Sequence, residues 1–240
     1  INGYGIDAPD IFIERRGKPI SNVPQIKFGN QPIDGGYLIL SPEEKDEALR
    51  QESSIEPYIR PFIGSLELIN GLERYCLWLK DANPSDIQRS TFIKDRLMKV
   101  RNFRLASTRQ GTIDLAQTPA EFGFMSHPNS SYIIIPSVSS ENREYVPMDI
   151  FSPDIIASNL CLIVPGANLY HLGILTSQMH MAWMRTVAGR LKSDYRYSNG
   201  IVYNNFIWPQ VTTDQECEIA ECAQAVLDAR EAYEGATIAQ

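Results

Sequence analysis

Glu141 and Arg143 stand two residues apart in the run Val-Ser-Ser-Glu-Asn-Arg-Glu-Tyr-Val-Pro. If residues 140–145 are extended, the two side chains project to the same side. Arginine donates twice to guanine O6 and N7, and glutamate accepts from cytosine N4. One such pair is therefore able to read both bases of a C·G pair in the major groove. The same residues also make an ordinary surface ion pair, worth less than about 1 kcal/mol. Chemistry alone leaves both readings open.

A second constellation is cationic. Between Gln88 and Gln110 the chain places Arg89, Lys94, Arg96, Lys99, Arg101, Arg104 and Arg109 against the single acid Asp95. Of these, Lys94, Lys99, Arg101 and Arg104 are candidate contacts to a nucleic-acid backbone, which give affinity without sequence information. The competing reading is a solvated helix face. Arg190, Lys192 and Arg196 form a third group, in the stretch GRLKSDYRYSNGIVYNNFIWP at residues 189–209. That stretch also holds Asn204 and Asn205 beside aromatic residues, a composition close to the Asn-Pro-Pro-aromatic signature of amino-methyltransferases. The order is wrong, because Pro209 follows the aromatics and no Pro-Pro fixes the asparagine. Amino-group chemistry is therefore not assigned to either asparagine, and Tyr203, Phe206 and Trp208 read as core packing.

Other catalytic patterns are missing from the sequence. It has neither a G-x-S-x-G elbow nor a phosphate-cradling G-x-x-x-x-G-K-[ST] loop. Cys76, Cys161, Cys217 and Cys222 lack C-x-x-C spacing and form no metal-ligand pattern with His127, His171 and His180. Reduced thiols are the simplest account of the cysteines. His171 and His180 lie on an apolar segment, where capped or hydrogen-bonded core histidines are expected.

The elements that must position these groups follow from pattern and charge. A net charge of −7 over 240 residues argues at first against a nucleic-acid partner. Its distribution says otherwise: residues 41–56 carry −4 and residues 210–240 carry −6, which leaves +3 for the rest. No apolar run approaches the roughly 18 residues needed to span a bilayer. The chain begins with Ile and carries no basic-then-apolar leader, a start that suggests an internal piece of a longer protein. DIFIERR, PQIKFGN and GGYLILS read as short strands, and Ser41-Pro42-Glu43-Glu44 as a capped helix start. EPYIRPFIGSLELING reads as helical or irregular, and RYCLWL as a strand. Residues 83–107 predict one amphipathic helix, with Ile93, Leu97 and Val100 as its apolar stripe.

YIIIPSV, EYVPMDI and IIASNLCLIV predict strands whose prolines suggest edges or bends. Beyond Pro165-Gly166 the period changes, and residues 169–192 predict a single buried helix with Gln178, Arg185 and Lys192 as its polar line. A final acidic helix is expected to turn Ile219, Cys222, Val226 and Ala229 inward. The expectation is an α+β fold with two parts: a mixed α/β region over 1–167 and a helical region over 168–240.

Several long stretches, in order, resemble the carboxyl-terminal portion of MmeI-like (type IIL) restriction–modification enzymes and related adenine-specific DNA methyltransferases. They include DAPDIFIERRGKPISNVPQIKFGNQPIDGGYLILSPEEKDE, YIRPFIGSLELINGLERYCLWLKDANP, RLASTR, PSVSSENREYVPM and LTSQMHMAWMRTVAGRLKSDYRYSNGIVYNNFIWP. The resemblance covers nearly the whole chain and thins after about residue 210. In that family a nuclease, a helical connector and an adenine-N6 methyltransferase precede a target-recognition domain and a helical carboxyl-terminal domain. Only the last two resemble this sequence. The resemblance implies a bent, mixed β-sheet recognition domain with flanking helices, then a small helical domain.

It also implies double-stranded DNA and the amino-terminal methyltransferase domain of the same protein as partners, with no membrane. No cofactor is expected in this chain; S-adenosylmethionine is implied for the methyltransferase domain. A bacterial cytoplasmic, nucleoid-associated location goes with this. The family's specificity-setting acid and arginine, two apart after Val-Ser-Ser, match Glu141 and Arg143. Arg109 and Asn129, between the basic helix and that run, are taken as further base-contact candidates. The alternative function is a non-catalytic protein-interaction or scaffold module.

Overall fold

The computed structural model describes residues 6–7, 9–10, 12–233 and 237–238. The fold is α+β, with mixed sheets and helices on both sides of the central one. Residues 12–16 of DIFIERR are irregular, and Ile11 lies outside the described residues. The elements that follow are β1 (Lys27–Phe28), β2 (Ile39–Leu40), α1 (Pro42–Gln51), β3 (Ile59–Ile63), α2 (Ser65–Asn70) and β4 (Tyr75–Leu77). Next come α3 (Pro84–Arg89), α4 (Thr91–Leu105), α5 (Gln110–Asp114), β5 (Tyr132–Pro136), β6 (Val138–Ser139), β7 (Asp149–Phe151), β8 (Ile156–Ala157) and β9 (Cys161–Pro165). The chain closes with α6 (Leu169–Leu175), α7 (Gln178–Val187), β10 (Gly189–Leu191), β11 (Asp194–Arg196) and α8 (Thr213–Glu231).

The central sheet runs β1-β9-β5-β7 and is antiparallel throughout. All five residues of β5 are buried. Ile133 and Ile135 join Leu162 and Val164 on one face, while Tyr132 and Ile134 join Cys161 and Ile163 on the other. A strand covered on both faces reads as a continuous apolar run, which is why YIII shows no alternation. The prolines were expected to mark edges. Instead β5 and β9 form the middle pair, and each proline is the last residue of its strand, where a lost donor costs little. In EYVPMDI the proline precedes β7, which is an edge strand.

The second sheet runs β2-β4-β3-β8, with only β3 and β8 parallel. Its core takes in Leu38, Leu40 and Leu77 with Ile93 and Val100 of α4. The capped start at Ser41 is present: its Oγ accepts from the Glu44 N–H at 3.2 Å while Glu44 accepts from the Ser41 N–H at 3.0 Å. The helix expected over residues 83–107 is two helices. Ser90 breaks the run because its Oγ accepts from the Ile93 N–H at 3.0 Å and so caps a new start.

Residues 169–192 also depart from expectation. Ser177 caps α7 by accepting from the His180 N–H at 3.2 Å, which separates α6 from α7. GRLK does not continue the helix. It forms β10, and Lys192 sits in the hairpin turn at φ 56°. Lys192 therefore shares no helical line with Gln178 and Arg185. The acidic α8 is present, but its inner stripe is rotated by about one residue: Ala223 is buried and Ile219 and Leu227 pack on the core beside the central sheet, while Cys222, Val226 and Ala229 are exposed. The period change at residue 168 coincides with the Asn168 cap of α6. Elements from both sides of that point share one core, in which Ile133 and Leu162 meet Leu172, Met181, Tyr203 and Trp208.

The histidines of this region are structural. His171 Nδ1 lies 2.6 Å from the Asn168 cap oxygen. His180 is fully buried, with Nε2 2.9 Å from the Tyr197 hydroxyl. Burial without a charged partner pulls the His180 pKa down to about 3. The unfolded chain, titrating near pH 6.5, then binds a proton that the folded chain refuses. Stability is therefore complete above about pH 6.5 and falls as pH drops through the window down to about 3. Urea denaturation between pH 7 and 5 should show a loss approaching about 1.4 kcal/mol per pH unit from this group. His180→Gln should flatten that slope.

Candidate nucleic-acid interface

Glu141 and Arg143 follow directly on β6, but not as a strand. Residues 141–142 form a turn, and the Arg143 N–H donates to the Ser140 carbonyl at 3.2 Å. The same-side argument for an extended backbone does not apply; the pair stands at a turn. That turn is braced from several directions. β6 pairs with β11, Ser139 opposite Tyr195, so the β10–β11 hairpin is anchored to the strand that leads into it. The Glu141 N–H donates to Asp194 Oδ1 at 3.3 Å. Beyond the turn, Arg185 of α7 donates to the Glu144 carbonyl, and the Val146 N–H donates to Met181 Sδ at 3.4 Å.

The side chains at the turn are differently occupied. A Glu141 carboxylate oxygen lies 3.8 Å from Arg190 Nη1, with both groups about half exposed. Among the described residues, the Arg143 side chain makes no hydrogen bond or ion pair. Asp194, Tyr195, Arg185 and Met181 carry the support, and sequence reading missed all four. The signal available for the hairpin was weak: Lys-Ser-Asp is turn-forming, but apolar residues precede it at helical spacing.

The cations of α4 separate into distinct roles. Lys94 and Arg101 are exposed and, among the described residues, form no hydrogen bond or ion pair. Lys99 pairs with Asp95 at 2.8 Å. Arg96 is committed to Glu44 at 2.9 Å and to the Tyr37 carbonyl at 3.2 Å. Arg104, expected to contact a phosphate, is fully buried. Its Nε donates to Ile33 at 2.8 Å, Nη1 to Leu115 and Thr118 at 2.8 and 2.9 Å, and Nη2 to Pro32 and Glu121 at 2.9 and 2.7 Å. Those five carbonyls consume every N–H a guanidinium has, so Arg104 has nothing left for DNA. A signal for this was present: residue 104 extends the stripe of Ile93, Leu97 and Val100 by one further helical step, and so faces inward.

Arg109 caps α5 with its backbone and keeps an exposed side chain, and Asn129 is exposed in the loop before β5. Lys192 and Arg196 are exposed on the hairpin. Arg190 is held differently: its guanidinium lies 3.7 Å from the Tyr195 ring centroid, and Nη1 donates to the Ser193 carbonyl at 2.7 Å. Among the described residues, the α4 cations and the turn at 141–143 share no hydrogen bond or ion pair. The α4 helix packs on the core of the second sheet, whereas the turn follows β6, which pairs with β11.

Asn204 and Asn205 are occupied in holding the chain's early residues. Asn204 donates to the Arg16 carbonyl at 2.8 Å, and Asn205 to the Glu14 carbonyl at 3.0 Å. Burial pushes the Cys161 thiol up to about 12, so it is not a nucleophile at neutral pH.

A family model described as the target recognition domain of MmeI matches residues 7–210. DNA methyltransferase A of Bacillus subtilis (strain 168) is 44% identical over 240 residues, which cover 100% of this chain and 27% of that protein. The solved structure of the type IIL restriction–modification enzyme MmeI in complex with DNA has a TM-score of 0.93 and 40% identity, covering 100% of this chain and 32% of that one. The chain thus spans less than a third of the length of either protein.

The burial of Arg104 has a measurable consequence. Arg104→Ala deprives five part-buried carbonyls of their donor and should destabilise the fold by about 3 kcal/mol in chemical denaturation. Arg104→Lys, with three donors at most, should recover only part of that.

Proposed function

Because the chain belongs to the MmeI target recognition domain family, we propose that it selects the site on duplex DNA for a larger adenine-N6 methyltransferase or methyltransferase–nuclease. An adenine must leave the base stack to be methylated, so the duplex on either side has to be gripped while it does. This chain supplies that grip and the reading of sequence. S-adenosylmethionine, bound by the methyltransferase domain, supplies the methyl group.

The observation that carries this reading is the turn at Glu141 and Arg143. It offers a carboxylate and a guanidinium that is unpaired among the described residues, on a backbone fixed by hydrogen bonds to the neighbouring hairpin and α7. An arginine free to donate twice, beside a glutamate, suits a C·G pair read in the major groove. Lys94, Arg101, Lys192 and Arg196 supply the phosphate contacts, since each is exposed and without a protein partner among the described residues. Arg109 and Asn129, both exposed, are taken as contacts to further bases.

Two measurements on the full-length protein test this. For duplex DNA, log K should fall linearly with log salt, and alanine at each of the four phosphate candidates should reduce the slope by about 0.9. An isotherm indifferent to salt, or no duplex binding, would favour a protein-interaction module instead. Replacing the pair together, Glu141→Lys with Arg143→Asp, should change the preferred base pair at one position of the methylated site. A site that stays the same while activity persists would rule the assignment out.

A further inference from the structure

We propose that Arg190 and Asp194, on the β10–β11 hairpin, are positioning residues that set the aim of the Glu141 carboxylate, and that Arg190 is not a phosphate contact. The inference rests on reading the turn as a base-contacting element, and goes beyond that reading in saying what makes it selective. Each residue holds a different part of Glu141. Asp194 Oδ1 accepts the Glu141 N–H at 3.3 Å and so fixes the backbone. Arg190 Nη1 lies 3.8 Å from a carboxylate oxygen and so fixes the side chain.

Arg190 is itself immobilised. It stacks at 3.7 Å over Tyr195, which is buried, and donates to the Ser193 carbonyl across the hairpin turn at 2.7 Å. The hairpin in turn is paired to β6, Tyr195 opposite Ser139 and Arg196 opposite Val138. One rigid unit therefore carries both the strand that enters the turn and the two groups that restrain its first residue. Specificity needs such restraint, because a recognition side chain must be held within about 0.5 Å of its productive place. Glu141 alone, at a two-residue turn on the surface, has no packing of its own to supply it.

A positioning residue and a phosphate contact fail differently. Loss of a phosphate contact weakens binding to all sequences alike and makes the salt slope shallower by about 0.9. Loss of positioning relaxes discrimination at one base pair and leaves the slope unchanged. In the full-length protein, Arg190→Ala and Asp194→Ala should each lower discrimination at the base pair governed by residues 141 and 143 by about tenfold, with other positions of the site unaffected. Asp194→Asn keeps an acceptor for the Glu141 N–H and should retain wild-type discrimination. It also serves where the alanine variant folds poorly.

The paired exchange, Glu141→Lys with Arg143→Asp, is run alongside as the control for the underlying reading. If that exchange leaves the methylated site unchanged, the reading of the turn fails and this inference goes with it. If the exchange alters the site while Arg190→Ala and Asp194→Ala keep full discrimination, only the positioning role is overturned. A uniform loss of affinity with a shallower slope in Arg190→Ala returns that residue to the DNA backbone.

Discussion

The loops around the second sheet depend on one buried guanidinium. Arg104 gathers the carbonyls of Pro32, Ile33, Leu115, Thr118 and Glu121 around a single planar group. Isolated, a buried cation costs several kcal/mol. Here every donor is satisfied, and the nearby carboxylates of Asp34 and Glu121 favour the charged form against its burial. The same clamp holds a backbone conformation that Ile33 would not choose. Its φ is 50°, a region that costs a β-branched residue about 1–3 kcal/mol and persists only where surroundings over-determine it. Gly123 completes the arrangement, since a Cβ there would come within 2.6 Å of the Ile33 side chain.

Three residues before Ile33, Asn30 does a related job between the sheets. Fully buried, it donates to the Ala157 carbonyl of β8 at 2.9 Å and accepts from the N–H groups of Ser126 and His127 at 2.8 and 3.1 Å. Because β8 belongs to the second sheet and β1, just before Asn30, to the central one, one amide side chain joins the two. Irregular segments can be buried only when their backbone groups find partners. Arg104 and Asn30 are how this chain buries loops that its short strands leave between them.

How much of this is legible in the sequence follows from the range of the interactions. The Ser41 capping box and the stripe of Ile93 and Val100 are local, and each reads correctly because cap and period are set within a few residues. Ser90 and Ser177 were equally local signals, overlooked because apolar periodicity continued across them; each is a helix-capping hydroxyl with no apolar role. The hairpin over residues 189–196 was not legible. Its partner is β6, more than fifty residues earlier, and nothing in GRLK announces a pairing whose other half is Val138–Ser139. In the seven-cation run, charge count concealed the difference between Lys94 in solvent and Arg104 in the core, although the helical phase distinguishes them.

The turn at residues 141–143 is held almost wholly through backbone atoms. Its contacts include the Glu141 N–H to Asp194, the Asn142 N–H to the Ser140 hydroxyl, the Arg143 N–H to the Ser140 carbonyl, the Glu144 carbonyl from Arg185 and the Val146 N–H to Met181. Among the described residues, the half-exposed Arg190 alone forms an ion pair with a side chain of the pair. Neither Glu141 nor Arg143 belongs to a hydrophobic cluster, so their identity contributes little to stability. A backbone brace of this kind positions whatever side chains stand on it. Under the proposed function, the cost of changing the base pair that is read then falls on the contacts with DNA and on Arg190, and not on the fold.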